Sequence, residues 1–546
     1  MKKICTQCSA AFNIDQDELK LYEKFQVPPE DLCFKCSHMG RLAFRNERVL
    51  YNRKCDLTGD SIVSIYSPDK PYKVYSAKAW YGDGWDGMDY GRDFDFNRPF
   101  FEQFKELQAE IPRLALINMK HENSDYCNMT VGNKNCYLVF GGDMNQDVQY
   151  GTLCMHNKDS IDIDISNKNE LCYFMNDSHD CYGCQYVFDS KNCNNCYFIS
   201  DCIGCDECIL CTNLVKKKYC INNKQLSKED YEKQKAEMLN GSRQRMREIF
   251  DMFLKLRETR KVKNYHGANT EDCTGDYLVN SKNCINSYNL DGCEDLRNVL
   301  FAVNSNDMFN CTYIGHGSEV TYNVMSGFTA SHSNLCYFVF DSVNVDYSEQ
   351  IISCDNVFGC NGIKHKKFCI FNKQYKEDEY YELRDRIIEH MKKTGEWGKF
   401  FPKEICCFAY NESTATHYFP LNKEQALEYG YKWKEKDPKE YQKSYIKVPD
   451  KVEDLDESII DKVLACKDCG RNYKINKPEF NFYKRQNVPA PDQCSECRHA
   501  ERLSMRNPVF LHDRNCVKCG IDVKTTYSPD RTEKVFCEPC YLKEVV

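Results

Sequence analysis

The sequence predicts a mainly β protein with helical insertions, in which a central parallel β-solenoid is flanked by a duplicated cysteine-rich module at both ends. Two observations carry this prediction. Cysteines recur at a fixed nine-residue interval through the middle of the chain, and residues 1–80 align without a gap with residues 462–541. A short fixed period is the signature of an architecture in which each repeat stacks on the next.

The repeat is clearest between residues 181 and 220, and weaker traces of it lie upstream. Short apolar runs such as 136–140 and 196–199 predict strands, and corners such as 190–192 carry the Asn and Ser that turns need. We therefore expect two nine-residue half-coils per solenoid turn, with a slip of three residues between Cys181 and Cys184. The main nine-residue series comprises Cys184, Cys193, Cys202, Cys211 and Cys220.

Length and composition set the wider limits. A chain of 546 residues is too long for one core and predicts about three to five modules. The N-terminal residues turn polar at once, and no apolar run is long enough to cross a bilayer. The 36 cysteines then favour reduced thiols in a cytoplasm over disulfides. The net charge of -8 is uneven, because the two ends are mildly basic and the middle is strongly acidic.

The two terminal modules correspond at a constant offset of 461 residues. The C-terminal copy has a second set of four cysteines, of which the N-terminal copy keeps only Cys55, because Thr58, Ser76 and Ala79 stand in the other three places. Since three members of one set are lost together, the remaining cysteines group into three quartets. The quartets are Cys5, Cys8, Cys33 and Cys36; Cys466, Cys469, Cys494 and Cys497; and Cys516, Cys519, Cys537 and Cys540.

Each quartet consists of two C-x-x-C pairs, the spacing of treble-clef and zinc-ribbon modules. Four thiolates satisfy a tetrahedral Zn²⁺ and leave no open position, so such a site is structural and contributes to folding. We therefore predict three zinc ions per chain. Cys55 is expected to be a buried, inert thiol, with Tyr66, Tyr75 and Trp80 packing where the lost metal would have been.

A row of arginines follows the second C-x-x-C pair of each module. We expect residues 37–48 to be helical, with the arginines on one face, where they are able to grip phosphate groups of a partner. The alternative is a solvated face that pairs with Glu47 and Glu501. The candidate partner-binding residues are Arg41, Arg45, Arg48, Arg498, Arg502 and Arg506.

Helical segments interrupt the β-rich body. Residues 81–98 are rich in Gly, Asp and aromatic side chains and predict turns rather than a cation site, followed by a helix over about 99–110 with Asn97 as its cap. Residues 243–263 form a basic amphipathic stretch, which we expect to lie on the acidic solenoid of its own chain, with nucleic-acid binding as the alternative.

The second half of the solenoid repeats the end of the first half at an offset of 149 residues. Residues 399–433 are rich in aromatic side chains and are expected to cap a solenoid end. The predicted segments are 1–80, a module with one intact and one degenerate site; 81–122, an adapter; 123–226, the first solenoid half; 227–264, the helical excursion; 265–374, the second half; 375–433, a helix and cap; 434–461, a charged linker; and 462–546, a double module.

The stretch 202–211 has four cysteines spaced as in an iron–sulfur protein. At the offset of 149, however, Cys202 matches Ile351 and Cys208 matches Val357. A place that accepts Ile or Val is an apolar interior place, where cysteine behaves as a small hydrophobic residue. We therefore interpret these cysteines as a ladder in the core, with a metal site or redox thiols as the alternatives.

Several stretches together resemble a family of uncharacterised, cysteine-rich zinc-ribbon repeat proteins of candidate-phyla-radiation (Patescibacteria) bacteria. The resemblance covers nearly the whole chain and implies the same architecture and a bacterial cytoplasm. Members often carry Cys where this chain has Thr58, Ser76 and Ala79. The stretches that carry it are residues 41–56 (RLAFRNERVLYNRKCD), 65–75 (IYSPDKPYKVY), 90–107 (YGRDFDFNRPFFEQFKEL), the Asn-Cys-Tyr repeats and 408–427 (FAYNES…YFPLNKEQAL).

Three classes of function follow from these features. The first is a non-enzymatic scaffold that grips RNA, the ribosome or a protein through its zinc ribbons and solenoid surface. The second is an enzyme, for which His417 beside Asn411, Glu412 and Ser413 is the best candidate cluster, since none of the familiar catalytic motifs occurs. The third is a metal or thiol reservoir that uses the solenoid cysteines. The sequence points to no membrane or small-molecule partner and leaves the oligomeric state open.

Overall fold

The computed structural model describes residues 1–435, 441–444 and 446–545. The chain divides into two compact units, which we call the N unit and the C unit. The N unit comprises Met1–Leu116, Tyr265–Glu435 and Val509–Leu511. The C unit comprises Ile117–Asn264 and the described parts of Lys436–Pro508 and His512–Val546. Each unit thus combines one terminal module with the half of the β-rich body that lies far from it in sequence.

The α-helices of the described chain are mostly short. They are α1 (Gln16–Lys24), α2 (Phe34–Leu42), α3 (Ala77–Tyr81), α4 (Phe100–Glu110), α5 (Lys228–Met238), α6 (Arg243–Glu258), α7 (Glu377–Thr394), α8 (Ala415–Tyr418), α9 (Lys423–Glu428), α10 (Lys477–Gln486), α11 (Ser495–Leu503) and α12 (Glu538–Val545).

The strands up to residue 225 are β1 (Lys2–Ile4), β2 (Ala11–Asn13), β3 (Tyr51–Lys54), β4 (Ser61–Ser64), β5 (Val74–Tyr75), β6 (Arg113–Leu114), β7 (Asn118–Met119), β8 (Thr130–Val131), β9 (Gln146–Gln149), β10 (Lys158–Asp164), β11 (Tyr173–Asn176), β12 (Gln185–Phe188), β13 (Tyr197–Ser200), β14 (Asp206–Thr212), β15 (Lys218–Ile221) and β16 (Lys224–Gln225). The strands up to residue 374 are β17 (Lys261–Lys263), β18 (Gly267–Ala268), β19 (Gly275–Val279), β20 (Ser287–Asp291), β21 (Glu294–Arg297), β22 (Leu300–Val303), β23 (Asn306–Phe309), β24 (Thr312–Ile314), β25 (Glu319–Tyr322), β26 (Met325–Asn334), β27 (Tyr337–Asp346), β28 (Glu349–Ile352), β29 (Asp355–Phe358), β30 (Lys367–Ile370) and β31 (Lys373–Gln374). The remaining strands are β32 (Leu464–Ala465), β33 (Asn472–Tyr473), β34 (His512–Asn515), β35 (Asp522–Thr525) and β36 (Lys534–Phe536).

Two large sheets, parallel except for a final antiparallel strand in each, dominate the β structure. The C unit contains an 8-stranded sheet, β9–β16, and the N unit contains a 14-stranded sheet, β18–β31. This confirms the prediction of a mainly β chain with helices and parallel sheets. Paired residues of the parallel strands are separated by twelve positions in the C unit sheet, as in Tyr173↔Gln185 and Gln185↔Tyr197, and by eleven to thirteen in the N unit sheet. The prediction of nine-residue half-coils, which implies a separation of eighteen, is therefore wrong.

The true period of the first sheet is three residues. Every third residue from Asn135 to Asn222 has a positive φ, which turns the chain. Every third residue from Cys136 to Cys211 is buried. Four such triplets make the twelve-residue repeat. The cysteine intervals of nine and eighteen are multiples of three, so all of these cysteines occupy inward positions. Neither interval equals the twelve-residue repeat. The slip between Cys181 and Cys184 is one triplet.

The inward positions carry small side chains that also serve the backbone. The Asn145 side chain accepts a hydrogen bond from the Asn157 amide at 3.0 Å and donates to the Cys154 carbonyl at 2.8 Å. Cysteine makes weaker versions of the same contacts, since the Cys184 sulfur accepts from the Cys196 amide at 3.4 Å and donates to the Cys193 carbonyl at 3.3 Å. Buried backbone groups need partners, which explains why Asn, Ser and Cys recur there.

The basic amphipathic stretch lies where the favoured interpretation placed it. Helix α6 packs its apolar face on the sheet of the C unit, where Phe253 stacks on Phe188 at 5.6 Å. Its last turn pairs with the same sheet, since Arg257 contacts Asp189 at 2.9 Å. Arg260, just beyond the helix, contacts Asp201 at 2.7 Å.

The predicted cap of α4 needs correction, whereas the capping role of residues 399–433 stays a prediction. Helix α4 begins at Phe100, with Pro99 rather than Asn97 at its N-cap. The carboxylate of Glu396 caps it instead and accepts from the amides of Phe100 and Phe101 at 2.9 and 2.8 Å. Residues 399–433 pack beside the N-terminal module, where the Thr414 amide donates to the Arg45 carbonyl at 2.7 Å. Part of the predicted linker (436–440 and 445) lies outside the described residues.

Candidate metal centres and the arginines beside them

The structure brings the cysteines of each predicted quartet together. Within each quartet the four sulfur atoms lie within 4.8 Å of one another. Individual sulfur–sulfur distances are 3.7 Å for Cys8–Cys33 and 3.6 Å for Cys519–Cys537. Four sulfurs placed about 2.3 Å from a tetrahedral metal ion are separated by about 3.8 Å. The three quartets therefore have the dimensions of metal sites in which the protein supplies all four ligands.

Local backbone structure positions the first pair of each quartet. In the N-terminal module the Ser9 amide donates to the Cys5 carbonyl at 2.9 Å, and Ser9 has a φ of 59°. Gly470 and Gly520 occupy the matching positions after Cys466 and Cys516 and also have positive φ, which glycine adopts without steric cost. These tight turns point the two thiols of a C-x-x-C pair to the same side.

The second pair of the first two quartets lies at a helix N-terminus. Cys33 is the N-cap residue of α2, and Cys494 is that of α11. A hydrogen bond from the Cys36 thiol lowers the pKa of Cys33 to about 5. Burial opposes ionisation of Cys516 in the third quartet, but backbone amides, including those of Cys519 and Cys537, lower its pKa to about 6. The hydrogen bond that lowers the pKa of Cys33 raises that of Cys36, so the thiols of a quartet share their protons, and metal binding would displace those that remain.

The degenerate half of the N-terminal module keeps the ribbon shape, as predicted. Strands β3 and β4 pair Tyr51 with Ser64, in the same register in which β34 and β35 pair His512 with Thr525. Cys55 accepts a hydrogen bond from the Ser76 amide at 3.3 Å, and the Ser76 hydroxyl caps α3. Tyr66, Tyr75 and Trp80 are all buried.

The arginines of the N-terminal module face their own unit. Helix α2 ends at Leu42, so the prediction of one helical face through residue 48 is wrong. Arg41 is 1% exposed and donates to Thr312 and Asn323 of the sheet at 3.1 and 2.8 Å. Arg45 pairs with Glu47 at 2.6 Å and also contacts Ser326. Both members of the pair are buried, so the alternative of a solvated face is wrong here. Arg48 is partly exposed.

The arginines of the C-terminal module form buried ion pairs with the sheet of the C unit. Arg498 contacts Asp162 at 2.7 Å, and Arg502 contacts Asp162 at 2.9 Å and Asp164 at 2.7 Å. Arg502 and Asp162 are fully buried. Burial alone would raise the pKa of Asp164, but Arg502 and the neighbouring His499 lower it below its ordinary value. Asp164 therefore stays ionised, and the ion pairs of Arg498 and Arg502 hold the module on the sheet.

Further along the same sheet, Arg506 contacts Asp177 at 2.6 Å. The N unit has the corresponding contact, Arg45 with Ser326. Arg506 matches Arg45 at the offset of 461, and Asp177 matches Ser326 at the offset of 149. Both modules therefore dock on their sheets in the same manner. Glu501 pairs with Arg247 of α6 at 2.6 Å and not with the arginines of its own module. The predicted role of the six arginines in gripping a partner stays a prediction, because five of them contact their own unit here.

The cysteines at 202–211 do not form a comparable cluster. All four side chains are fully buried. Burial raises the pKa of the Cys202 thiol, and the Cys205 sulfur donates to the Leu214 carbonyl at 3.4 Å. In the described part of the chain, the groups whose ligand atoms all lie within 4.8 Å of one another include the three terminal quartets but not these four cysteines. Ile351 and Val357 are likewise fully buried, which favours the interpretation as core residues.

The side chains around His417 are used in local structure. Glu412 accepts hydrogen bonds from Lys70 at 2.6 Å and Tyr51 at 2.7 Å. The Ser413 hydroxyl donates to the Tyr410 carbonyl at 2.7 Å. These contacts tie the segment to the N-terminal module, and the catalytic role considered for the cluster stays a prediction.

No family model matches the chain, and neither does any curated protein. The resemblance to a bacterial family therefore stays a prediction as well. Within the described ranges, no helix has both the length and the apolar character that a membrane span requires.

Proposed function

We propose that the chain is a non-enzymatic scaffold in which three zinc ions and two β-solenoid segments hold docking surfaces for a macromolecular partner, either RNA (including the ribosome) or a protein. The observation that carries this proposal is the closed geometry of the three quartets. Each supplies four protein ligands, which leaves no coordination position for a substrate and makes the metal structural. Tetrahedral all-sulfur sites suit zinc, with iron as the competing metal.

The two parallel sheets support the solenoid part of the proposal. A constant twelve-residue separation between paired strands of the C unit sheet, with one side chain in three turned inward, stacks each repeat directly on the previous one. In the N unit sheet the separation varies between eleven and thirteen. Solenoids of this kind offer long, rigid surfaces to partners. None of the 36 cysteines is in a disulfide, which supports a reducing compartment such as a cytoplasm.

The experiment is a pulldown from native lysate with the tagged, zinc-loaded chain, in parallel with and without RNase. We expect a partner to be enriched over a bead control at physiological salt. Loss of the captured material after RNase treatment identifies an RNA partner, and retention of a defined protein identifies a protein partner. Failure to enrich any macromolecule in either arm would contradict the scaffold proposal.

A further inference from the structure

Each large sheet ends in a turn of the same construction. We call residues 213–226 exit turn 1, in the C unit, and residues 362–375 exit turn 2, in the N unit. They correspond at the offset of 149. In both, the last parallel strand folds back into a short antiparallel strand, with Ile221↔Lys224 in one and Ile370↔Lys373 in the other. A helix follows each turn, and its tyrosine, Tyr231 or Tyr380, packs on the last strand.

The local geometry of the two turns agrees in detail. Asn222 and Asn223 have φ values of 50° and 60°, and their counterparts Phe371 and Asn372 have 47° and 60°. The Asn223 side chain accepts from the Thr212 amide at 2.9 Å, and that of Asn372 accepts from the Asn361 amide at 2.8 Å. The two turns therefore present the same backbone and amide groups.

Exit turn 2 is covered by an acidic, glycine-containing segment of its own unit, residues 85–94. Two lysines of the turn bind its carboxylates, Lys366 to Asp86 at 2.9 Å and Lys373 to Asp93 at 2.6 Å. Lys364 lies over the Trp85 ring at 5.1 Å. The segment thus combines charge pairing with an aromatic contact.

The backbone of the same segment completes the contact. The Asn372 side chain donates to the Gly87 carbonyl at 2.9 Å, and the Arg92 amide donates to the Phe371 carbonyl at 3.1 Å. Gly91 lies so close that a Cβ there would be 2.5 Å from the Asn372 carbonyl oxygen. The contact therefore requires glycine at that place, and it buries Phe371 and Asn372 completely.

Exit turn 1 keeps the two lysines and the asparagine that bind the carboxylates and the backbone, and leaves them exposed, whereas Val215 stands in the place of Lys364. Lys217 and Lys224 match Lys366 and Lys373, and both are exposed, as are Asn222 and Asn223. Lys216 and Lys218 add positive charge beside them, with Lys218 paired to Asp206 at 2.6 Å. At the far side of the turn, Asn213 donates to the Lys261 carbonyl and the Tyr541 hydroxyl. The exposed residues of exit turn 1 are 216–218 and 222–225.

We propose that exit turn 1 is a docking site for an acidic, glycine-containing peptide segment of a partner protein, bound as residues 85–94 are bound at exit turn 2. The inference rests on the proposed scaffold function and names the chemistry of its partner. The partner presents carboxylates to Lys217 and Lys224, a backbone carbonyl to the Asn223 side chain, and an amide N–H to the Asn222 carbonyl. A glycine of the partner packs against the Asn223 backbone, as Gly91 packs against that of Asn372.

A peptide fits this surface better than a nucleic acid does. The lysines alone would suit phosphate groups. In exit turn 2, however, the Phe371 carbonyl, which corresponds to that of Asn222, accepts from the Arg92 amide, so the same binding mode includes a donor from the partner. A peptide backbone supplies both a donor and an acceptor within one chain segment. The phosphate groups of a nucleic acid supply acceptors only, so its donor would have to come from a ribose 2′-hydroxyl or a base. The counterpart that the chain itself uses at exit turn 2 is a peptide.

The test measures binding of a fluorescent peptide with the sequence of residues 85–95 (WDGMDYGRDFD) to the full zinc-loaded chain by anisotropy. We expect saturable binding that the double variant Lys217→Glu/Lys224→Glu weakens about tenfold or more, because two attractive contacts become repulsive. The matched control is Lys168→Glu, which reverses an exposed lysine elsewhere on the same sheet and should leave the Kd unchanged. A peptide in which the residues corresponding to Asp86 and Asp93 are both changed to lysine should not bind.

Three results would overturn the proposal: no binding of the peptide, equal binding to the double variant, or tighter binding of a mixed-sequence RNA oligonucleotide at the same lysines. Repeating the lysate pulldown with the double variant separates this proposal from the scaffold function. If the wild-type chain captures nothing from lysate, the scaffold function is refuted. The docking site is still tested in that case, because the peptide Kd is measured with purified protein. A wild-type chain and a double variant that capture the same partner equally refute the docking site alone.

Discussion

Replacing Cys208 by valine should cost little stability and release no metal, although the side chain is fully buried. Its sulfur donates only long hydrogen bonds, to the Asp206 carbonyl at 3.5 Å and the Lys217 carbonyl at 3.7 Å. The matching position in the other sheet is Val357, which is equally buried. A substitution that roughly conserves volume costs less than about 1.5 kcal/mol. Cys202→Val should behave in the same way, since its counterpart is Ile351.

Cys33→Val provides the contrast. It removes one of four ligands whose sulfurs lie within 4.8 Å of one another. Structural zinc contributes on the order of 10 kcal/mol of binding free energy, so the N-terminal module should unfold. Thermal melts, together with colorimetric measurement of the zinc that each variant retains, compare the three proteins. Loss of metal by Cys202→Val or Cys208→Val would show that the stretch 202–211 is a ligand set and would refute its assignment to the core.

Three further substitutions test the docking, titration and capping described above. Arg502→Met leaves two buried aspartates without their shared cation and should lower the free energy of unfolding by about 3–5 kcal/mol, measured with urea. Arg41→Met, whose partners are mostly neutral, should cost less, and an equal cost would contradict the ion-pair account. Burial raises the pKa of Glu479 to about 7, so its contribution to stability is complete below the unfolded pKa of about 4.5 and is lost as the pH rises through about 7. Glu479→Gln should therefore gain stability relative to wild type between pH 5 and pH 8, and a pH-independent difference would count against the shift. Glu396→Ala removes the cap of α4 and should cost about 1 kcal/mol, whereas an unchanged melt would show that the cap adds nothing.

The sequence predicted the metal quartets because their evidence is local. The spacing of C-x-x-C pairs and the coordinated loss of three cysteines around Cys55 both follow from the chain itself. The mainly β character with parallel sheets followed in the same way from periodicity. The repeat length did not, because cysteine fills only some of the inward positions, while Asn157, Ser178 and Val187 fill others. Intervals counted between cysteines alone therefore reveal the three-residue spacing of inward positions but not the twelve-residue repeat.

The roles of the arginines were missed because their partners are distant in sequence. Asp162 and Asp164 lie more than 330 positions from Arg498 and Arg502. The only local signal for these ion pairs was the acidic middle of the chain, and a net charge does not show which aspartates an arginine will contact. The same limit applies to α4, whose cap comes from Glu396 and not from the nearby Asn97. Contacts between segments that are distant in sequence and meet only in the folded protein cannot be predicted from local sequence patterns.

Elemental analysis of the purified chain tests the central claim most directly. The protein is expressed without added metal, dialysed against a weak chelator and analysed by mass spectrometry for zinc and iron, with thiol titration under native conditions as a check. Three closed quartets predict about three zinc ions per chain, no iron, and protection of the twelve quartet thiols. Four or more zinc ions, bound iron, or quartet thiols that react freely in the native protein would contradict a scaffold built on three structural zinc sites.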